Sequence, residues 1–457
     1  MTLAVITLAA GKGSRMKSTL PKVLHTLAGQ SMLQHVLNAA SQLPDAAQHV
    51  VIGHGAGEVQ QAFSGAAIHW AIQSEQKGTG HAVAQALPSI DDEDTVLILY
   101  GDVPLIQTET LAQLTALAQQ GQLALLTVEL ADPKGYGRIV RDTGGNVVSI
   151  VEHKDANAEQ LAIGEVNTGI LAVNARFLKQ WLPQLSANNA QGEYYLTDII
   201  AMAVAQGVTV TTRQPQRASE VEGVNDRVQL ARLERIYQSD IAHQLLVDGV
   251  SLANPALLDV RGHLTVGSNV FIDVGCVFEG DVVLGDNVHV GPYNLIRNSI
   301  IGADVRIESF CHIEQANVAA DCQIGPYARL RPGADLHIGA KVGNFCEVKK
   351  ATIGAGAKVN HLTYIGDADI GADANIGAGT ITCNYDGVNK FRTQIGANAF
   401  IGSNSSLVAP VSIGANATVA AGSVITKSVD DEELAVGRAR QKNIAGWVRP
   451  SAKDGKK

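Results

Sequence analysis

The sequence is poor in aromatic residues, which make up 4% of its 457 positions, and its five cysteines include no CxxC pair. An odd number of cysteines without such a pair favours free thiols in a reducing compartment over a disulfide framework. Positive charge is also in the minority, because the net charge is −9 and the short tail at 453–457 is the one basic tract. These features argue against a dedicated nucleic-acid-binding protein but leave room for small anionic substrates.

The sequence also lacks an apolar run long enough to cross a membrane. The apolar segment 2–10 has no basic flank of the signal-peptide kind and is too short to span a bilayer, so we expect it to be a buried first strand. Hydrophobic residues make up 46% and charged residues 17%, which is a globular composition. A chain of this length exceeds one core, so the sequence predicts two or three domains in the cytoplasm, without membrane insertion.

Residues 1–225 alternate short apolar strands with amphipathic helices. This alternation predicts an α/β domain with a Rossmann-like, mostly parallel sheet, whose ligands bind beyond the carboxyl ends of its strands. A long connecting helix is predicted for 226–247, where apolar residues fall at helical spacing after a capping-box-like start at Asp226. The predicted strands are Ala4–Leu8, His49–Ile52, Val96–Leu99 and Leu123–Val128, and the predicted helices include Met32–Leu43 and Leu111–Gln119.

Residues 248–457 form the third predicted segment, and most of it follows a six-residue rhythm. Apolar residues recur six positions apart from Val266 to Ile296, and the series continues from Ile301, with short interruptions, to about Thr426. A hexapeptide period indicates a parallel β-helix, in which three units close one triangular coil. The strict spacing breaks between Ile376 and Ile395, and the polar stretch 382–393 is predicted to be a binding loop.

The glycine-rich segment Leu8–Met16 directly follows the first predicted strand. It lacks the GxxxxGK[ST] pattern of a Walker A loop, and a methionine stands where the dinucleotide-binding fingerprint has its third glycine. Gly11 and Gly13 would still let backbone N–H groups approach an anion. Taken alone, such a loop is more often a turn than a phosphate site, but basic residues stand close by at Lys12, Arg15 and Lys22.

Further segments make this loop more specific. Leu8–Met16 with Leu20–Val23 resembles the signature of sugar-1-phosphate nucleotidylyltransferases, which join a nucleoside triphosphate to a sugar 1-phosphate and release pyrophosphate. Segment 73–80 resembles their base-reading segment, and segment 100–105 resembles their metal-binding turn. The resemblance implies that Asp102 and Asn225 supply the hard oxygen ligands that Mg²⁺ requires. It also implies that Arg15 and Lys22 clamp the phosphates, with no need for a protein nucleophile.

The match extends, in order and spacing, over nearly the whole chain to one family. Segments 135–138, 151–155, 165–169 and 191–198 resemble the bacterial bifunctional N-acetylglucosamine-1-phosphate uridylyltransferase and glucosamine-1-phosphate N-acetyltransferase family. The resemblance implies that Gln73, Gly78 and Thr79 hold uracil. It implies that Gly137, Glu152 and Asn167 hold the sugar. The other residues implied for this UDP-N-acetylglucosamine site are Leu8, Ala9, Gly11, Lys22, Tyr100, Gly101, Asp102 and Asn225.

The repeat region carries a second set of motif residues. Segments 329–333, 343–350, 360–364, 377–380 and 383–386 resemble the acetyltransferase half of the same family. The resemblance implies that His361 is the general base, a role that suits imidazole, and that Asn384 stabilises the oxyanion. It implies glucosamine-1-phosphate binding by Arg331, Lys349, Tyr364 and Asn375, with Lys390 nearby, and acetyl-CoA binding by Ala378, Asn384, Tyr385, Ser403, Ala421 and Arg438.

The resemblance further implies a homotrimer of left-handed β-helices, with acetyltransferase sites between subunits. Glucosamine 1-phosphate would be acetylated by acetyl-CoA, and the product would react with UTP to give UDP-N-acetylglucosamine for envelope polysaccharides. Two other interpretations stay open on the residues alone. One is a nucleotidylyltransferase whose β-helix only assembles or regulates it, against which His361, Asn384 and Arg438 argue. The other is a scaffold with a degenerate first domain, against which the intact pair of Asp102 and Asn225 argues.

Overall fold

A computed structural model of the chain describes residues 2–449. The chain divides between Asp240 and Ile241 into two compact units. The division falls within a 21-residue helix, Arg227–Val247, which confirms the long helix predicted from the apolar spacing. The domain limits at 225 and 247 stay predictions. Within residues 2–449, no helix has both the length and the apolar character needed to cross a membrane.

The first unit is built from short strands and helices in alternation. Its strands are β1 (Leu3–Ala9), β2 (Thr26–Leu27), β3 (Gln30–Ser31), β4 (Ala46–Ile52), β5 (Ile68–Ile72), β6 (Thr95–Tyr100), β7 (Leu123–Glu129), β8 (Arg138–Arg141), β9 (Val147–Val151), β10 (Glu165–Asn174) and β11 (Val210–Arg213). Its helices are α1 (Met32–Ser41), α2 (Ala56–Ala62), α3 (Thr79–Ala86), α4 (Thr108–Gln119), α5 (Ala158–Leu161), α6 (Ala175–Trp181) and α7 (Ile199–Ala205), followed by α8 (Arg227–Val247). Each predicted strand lies within an observed one.

The main sheet of this unit has the strand order β11-β7-β10-β6-β1-β4-β5. β1 pairs in parallel with β4 and β6, β4 pairs in parallel with β5, and β11 pairs in parallel with β7. β10 is antiparallel to β6 and β7, so the sheet is mixed although most of it is parallel, as predicted. Because β1, β4, β5 and β6 point the same way, the segments that follow them meet at one edge of the sheet.

Both faces of this sheet are covered, as β6 illustrates. Val96 and Ile98 belong to the hydrophobic cluster on one face, and Leu97 and Leu99 belong to the cluster on the other. All four side chains have no exposed surface. Successive residues of a strand point to opposite faces, so a continuous apolar run is what a doubly covered strand requires.

The second unit is a solenoid of very short strands. They are β12 (Ser251–Leu252), β13 (Asp259–Val266), β14 (Phe271–Ile272), β15 (Val277–Leu284), β16 (His289–Val290), β17 (Leu295–Arg297), β18 (Ile300–Ile301), β19 (Arg306–Ile307), β20 (His312–Glu314), β21 (Asn317–Val318), β22 (Gln323–Ile324), β23 (Arg329–Leu330), β24 (Ala334–Leu336), β25 (Lys341–Asn344), β26 (Glu347–Lys349), β27 (Ala351–Ile353), β28 (Lys358–His361), β29 (Tyr364–Gly366), β30 (Ala368–Ile370), β31 (Asn375–Ile376), β32 (Ile381–Cys383), β33 (Thr393–Ile395), β34 (Phe400–Ile401), β35 (Ser406–Val408), β36 (Val411–Ile413), β37 (Thr418–Val419), β38 (Val424–Ile425) and β39 (Leu434–Ala435).

The strands recur in threes, which confirms the predicted three-unit coil. β22 pairs with β25, β23 with β26 and β24 with β27, all in parallel, and the same offset holds from the pair β15–β18 to the pair β35–β38. The repeating aliphatic residues point inward and stack coil upon coil. One such column contains Ile307, Ile324, Val342 and Val359, none of which has exposed surface. Each coil therefore buries its apolar face against its neighbours, as a solenoid must.

The coils begin before and end after the predicted limits of Val266 and Thr426. β12 already pairs with β14, and β39 still pairs with β37. At the start, the buried Val260 already lies six residues before Val266, whereas at the end the spacing breaks after Ile425, where the next buried residue is Val429. The repeat also continues further towards the polar insert than predicted. Thr382 occupies the buried position six residues after Ile376.

Thr382 can replace an aliphatic residue because its hydroxyl is satisfied inside the coil. The hydroxyl accepts a hydrogen bond from the Gly366 backbone N–H at 2.8 Å and lies 3.0 Å from the Gly366 carbonyl oxygen. A buried polar group with such partners carries little penalty. The chain therefore leaves the regular coil only after Cys383. The insert then forms a small hairpin, closed by an antiparallel bridge between Tyr385 and Lys390.

One corner of the solenoid carries a ladder of aromatic side chains. Neighbouring ring centroids lie 5.4, 5.0 and 5.2 Å apart with nearly parallel planes. Each of these residues has a positive φ, and each is about half exposed. Stacking between coils compensates for the unfavourable backbone conformation of a bulky residue. We call this set the aromatic ladder; its members are Tyr293, Phe310, Tyr327 and Phe345.

Ile301 and Ile300 offer a matched test of the core assignment. They are adjacent on β18, but Ile301 is 1% exposed and Ile300 is 56% exposed. We expect Ile301→Ala to lower the free energy of unfolding by about 2–5 kcal/mol through the cavity it leaves. Ile300→Ala should change it by less than about 0.5 kcal/mol. Urea denaturation of the full chain measures both. Equal effects of the two variants would contradict the inward-pointing column.

Candidate active sites

A cavity of about 260 Å³ opens at the carboxyl edge of the first unit's sheet. Most residues predicted for the nucleotide line it, and Gly101 lies in the turn between two of them. Gln76 and Glu193 also line it; they lie in the motif segments 73–80 and 191–198, but neither was assigned a role from the sequence. The predicted residues on its wall are Leu8, Ala9, Gly11, Lys22, Gln73, Gly78, Thr79, Tyr100 and Asp102.

Backbone pairing at the strand ends holds these residues in place. The Gly101 N–H donates to the Leu8 carbonyl at 3.0 Å, which joins the ends of β6 and β1. The Gln73 N–H donates to the Ile52 carbonyl at 2.8 Å, which does the same for β5 and β4. The Gln73 side chain is 3% exposed, and its Nε2 lies 3.1 Å from the Gly78 carbonyl oxygen. Gln73 is thus a fixed polar group in the cavity wall.

The glycine-rich loop packs directly on Lys22. Gly13 has a φ of 57°, and a Cβ there would lie 2.6 Å from the Lys22 Cβ. A side chain at this position would therefore be strained and would displace the lysine. Lys22 in turn forms an ion pair with Asp102, and both side chains are largely buried. The loop, the lysine and the aspartate thus form one charged cluster in the cavity wall.

Asp102 and Asn225 lie on neighbouring segments. The Val224 N–H donates to the Asp102 backbone carbonyl at 2.9 Å. The Asn225 Oδ1 accepts a hydrogen bond from Arg15 Nη2 at 2.8 Å, and Lys22 pairs with the Asp102 carboxylate. Both oxygens are therefore faced by a cationic side chain. A carboxylate and an amide oxygen are hard donors of the kind that Mg²⁺ prefers, so the donor set fits this ion.

The residues predicted for the sugar lie together beyond this cluster. The Asn167 N–H donates to the Gly137 carbonyl at 2.9 Å, and a Cβ at Gly137 would lie 3.5 Å from the Glu152 Oε1. Glu152 also lines a second cavity of about 250 Å³. Burial raises the pKa of Glu152, and the neighbouring carboxylates of Asp155 and Asp198 add to the effect, although a hydrogen bond from Thr197 opposes it. Glu152 is therefore a half-buried acceptor, and among residues 2–449 no ion pair with a cationic side chain is found for it.

We expect Glu152→Gln to raise the melting temperature at about pH 8. A carboxylate whose pKa is raised by burial stabilises the fold only while it is protonated, so ionisation favours the unfolded chain. The gain from the neutral amide should therefore grow as the pH rises from about 4 to about 8. Thermal unfolding of both proteins across this range measures it.

Asp142→Asn is the matched control with the opposite sign. Hydrogen bonds from Asn146 lower the pKa of Asp142, so its carboxylate stabilises the fold at neutral pH. Its replacement should cost stability there, and the cost should disappear as the pH falls through the lowered pKa. A gain for Glu152→Gln that shrinks with rising pH would contradict the burial of this carboxyl group.

In the second unit, the predicted base lies at a corner shared by four successive coils. Hydrogen bonds from one coil to the next hold this column, with N–H groups of Gly379, Asn404 and Gly422 donating to the carbonyls of His361, Ala378 and Ser403. Arg438 Nη1 donates to the Ala421 carbonyl at 2.7 Å. We call this column the histidine corner; its members are His361, Ala378, Ser403 and Ala421. The His361 side chain is exposed, and its Nδ1 lies 2.8 Å from Asn344 Oδ1.

The predicted phosphate-binding cations lie at a different corner. The Lys349 Nζ lies 3.1 Å from the Asp367 Oδ2, and the Asn384 Nδ2 donates to the same oxygen. Burial opposes the ionisation of Asp367, but the hydrogen bonds from Lys349 and Asn384 outweigh it and hold its pKa below the usual range. Arg331 precedes Lys349 by one coil and pairs with Glu347 at 2.8 Å. We call this set the lysine corner; its members are Arg331, Lys349, Asp367 and Asn384.

The two corners bound one face of the solenoid. Tyr364 lies on this face in β29, and its hydroxyl reaches over Gly366, where a Cβ would lie 2.3 Å away. The three residues of β29 separate the corners by about 10 Å at the usual rise per residue. Asn375 lies on β31, in the eleven-strand sheet, whereas β29 belongs to the seventeen-strand sheet. Among residues 2–449, no side-chain hydrogen bond or ion pair joins Asn375 or His361 to the lysine corner.

The remaining predicted residues lie in the insert beyond the lysine corner. Tyr385 is 59% exposed, and its hydroxyl donates to the Gly387 carbonyl within the insert. Lys390 stands opposite it in the hairpin. The Asp386 carboxylate accepts hydrogen bonds from the N–H groups of Val388 and Asn389, which shape the hairpin tip. The insert is thus an ordered projection with polar side chains, consistent with its predicted binding role.

The cysteines are unpaired, and the surroundings of the four buried ones do not favour thiolate chemistry. All five are free thiols, and four are buried. Burial raises the pKa of Cys276, Cys311 and Cys322 to about 11, and it raises that of Cys346 as well. The thiolate is the nucleophilic form, so these residues are structural members of the coil interior.

Sequence reasoning missed the residues that hold the predicted ones. Asn344 contacts His361, Glu347 pairs with Arg331, and Asp367 binds both Lys349 and Asn384. Each partner stands about one coil away in sequence, so no local motif links the two. The six-residue period combined with a coil of three units could have pointed to them, because residues one coil apart become neighbours.

Known families match both units. A family model described as a MobA-like NTP transferase domain matches residues 5–148. The model of the bacterial transferase hexapeptide, with six repeats, matches residues 263–298, and the hexapeptide repeat of succinyl-transferase matches residues 392–427.

Curated relatives match the chain over its whole length. The bifunctional protein GlmU of Cellvibrio japonicus (strain Ueda107) is 59% identical over 451 residues, which cover 99% of this chain and 100% of that protein. The bifunctional protein GlmU of Idiomarina loihiensis is 57% identical over 455 residues and covers 100% of both chains. That of Marinobacter nauticus is 57% identical over 448 residues, covering 98% of this chain and 99% of that protein. The chain therefore belongs to the GlmU family of bifunctional proteins.

Proposed function

We propose that this chain catalyses two transfers in succession. The second unit acetylates glucosamine 1-phosphate with acetyl-CoA. The first unit transfers UMP from UTP to the product and releases pyrophosphate, giving UDP-N-acetylglucosamine. The observation that supports this most strongly is that each unit gathers its own set of motif residues, in a chain 59% identical to a bifunctional relative over its full length.

In the first unit, the cavity wall supplies a base-reading end and a phosphate end. Gln73 offers a fixed amide, and the backbone near Gly78 offers further polar groups for the edge of uracil. When the substrate binds, Lys22 and Arg15 leave their contacts with Asp102 and Asn225 and bind the substrate phosphates instead. The sugar 1-phosphate attacks the α-phosphate directly, and pyrophosphate leaves in line. Glu152 and Asn167 orient the sugar.

Mg²⁺ is the metal that we propose for this reaction. Asp102 and Asn225 would hold it, and phosphate oxygens and water would complete its shell. When bound, it offsets the repulsion between the two anionic substrates and stabilises the charge of the leaving pyrophosphate. The support is the donor set, in which two hard oxygens of adjacent segments are both faced by cations.

In the second unit, the proposed chemistry is direct transfer to an amine. His361 takes a proton from the amino group of glucosamine 1-phosphate while the nitrogen of that amino group attacks the thioester carbonyl of acetyl-CoA. The C–S bond then breaks, and the proton held by His361 passes to the sulfur, so that CoA leaves as a thiol. Arg331 and Lys349 bind the phosphate, because each keeps N–H donors beyond the one that contacts its carboxylate partner. Asn384 is tied to Asp367 by Nδ2 and retains one N–H for the oxyanion.

We propose that a complete acetyltransferase site needs a second copy of the chain, in a homotrimer. The histidine corner would contribute the base and the acetyl-CoA contacts of Ala378, Ser403, Ala421 and Arg438. The lysine corner of a neighbouring copy would contribute the phosphate contacts and Asn384. The support is the separation of the two corners by one face within a chain, together with hexapeptide repeats. The substrates and the free thiols further suit a cytoplasmic enzyme.

Single substitutions should separate the two activities. We expect His361→Ala to lower acetylation by about 10²–10⁴-fold, the range for losing a general base, and to leave uridylyl transfer unchanged. Asp102→Ala should lower uridylyl transfer and leave acetylation unchanged. Release of free CoA and release of pyrophosphate measure the two reactions on the same preparations. If His361→Ala lost both activities equally, the residue would be structural. If the parent chain released no CoA, the β-helix would be an assembly module.

Metal removal should also act on one reaction only. We expect a chelator to abolish pyrophosphate release, because the charge on the reacting phosphates is no longer offset, and added Mg²⁺ to restore it. Acetylation should continue in the chelator, since its proposed residues include no metal ligand. A titration of both reactions against chelator measures this. Loss of acetylation at the same chelator concentration would contradict the division of labour between the sites.

A further inference from the structure

Asn344 stands beside the proposed base in the neighbouring coil. The strands β25 and β28 run parallel, with Asn344 and His361 as register partners. The Asn344 Oδ1 lies 2.8 Å from the His361 Nδ1. Among the described residues, no hydrogen-bond partner is recorded for the opposite ring nitrogen, Nε2, and the side chain is exposed on that side of the solenoid.

This contact determines which ring nitrogen carries the proton. A neutral imidazole has one N–H and one lone pair, and a carbonyl oxygen can only accept. With the amide oxygen 2.8 Å from Nδ1, the proton must lie on Nδ1, since two acceptors at that distance would repel each other. The Nε2 lone pair is then free to receive a proton. Without a partner, the side chain would be free to place its proton on Nε2, where it would block this role.

We propose that Asn344 is a positioning residue that holds His361 in the Nδ1–H tautomer, with Nε2 directed to the substrate amine. This inference rests on the proposed function of the second unit. It adds a residue that works through the base without touching the substrate, and it assigns the proton to a stated atom.

The surrounding backbone keeps the pair in register. A Cβ at Gly343 would lie 2.1 Å from the Asn360 carbonyl oxygen, so the glycine lets the two coils approach at this point. Phe345, on the other side of Asn344, stacks on Tyr327 as the last ring of the aromatic ladder. The His361 carbonyl accepts hydrogen bonds from the Thr363 hydroxyl at 2.7 Å and from the Gly379 N–H. The backbone on both sides of the pair is therefore held by contacts between coils.

Kinetics of three variants test the proposal. We expect Asn344→Ala to lower kcat for acetylation about tenfold or more, as for the loss of one oriented hydrogen bond, with the KM values unchanged. Uridylyl transfer should stay at the parent rate. Asn344→Asp should restore most of the activity, because a carboxylate oxygen also accepts from Nδ1–H. Asn269→Ala is the matched control, since Asn269 contacts Asn287 in the first coils, far along the solenoid. An unchanged kcat in Asn344→Ala would overturn the proposal.

A spectroscopic measurement reads the tautomer without turnover. The full chain is labelled with ¹⁵N at the histidine Nδ1, sedimented, and observed by solid-state NMR above the pKa of imidazole. The His361 signal is assigned by its loss in His361→Gln. We expect a protonated, pyrrole-type Nδ1 in the parent chain and an unprotonated, pyridine-type Nδ1 in Asn344→Ala. A pyridine-type signal in the parent would overturn the inference. Full acetylation by His361→Ala would instead refute the proposed base and leave the tautomer result standing.

Discussion

The backbone hydrogen bond from each coil to the next is the interaction on which the second unit depends. The Leu362 N–H donates to the Asn344 carbonyl, and the Gly379 N–H donates to the His361 carbonyl one coil further on. These bonds place residues one coil apart in direct contact, whatever their side chains. Packing of the inner columns, stacking of the aromatic ladder and assembly of both corners all follow from this single offset.

The architecture was readable from the sequence because its signal is periodic. The recurrence of an aliphatic residue every six positions predicts which side chains point inward, and these side chains are buried in the structure. Which corner a polar residue occupies was not readable in the same way. The assignment requires the register of every preceding coil, and irregular steps such as the one before Ile301 shift that register. The separation of His361 from Asn384 across one face therefore became visible only in the structure.

In the first unit, the motif residues do converge in one cavity, since parallel strands bring the segments after β1, β5 and β6 to the same edge. What the motif could not reveal is how Lys22 is placed. Its position depends on a glycine nine residues earlier, at Gly13, whose missing side chain leaves room for the lysine stem. The motif also could not reveal that Lys22 contacts the Asp102 carboxylate and that Arg15 contacts the Asn225 amide oxygen, because these contacts span up to 210 residues of sequence.

The stacking offset also has an evolutionary consequence. In most of the solenoid, partners in adjacent coils stand 17 or 18 residues apart, as in the bonds from Asn287 to Asp304 and from Arg261 to Glu279. Gain or loss of one whole coil would leave the columns aligned, and the pairing of Ala368 with Thr393 across the polar insert shows that extra residues can also be accommodated at a corner. The coils between Ser251 and Ile324 carry none of the proposed site residues. A change in the number of these coils would therefore leave the proposed site residues and their contacts in place.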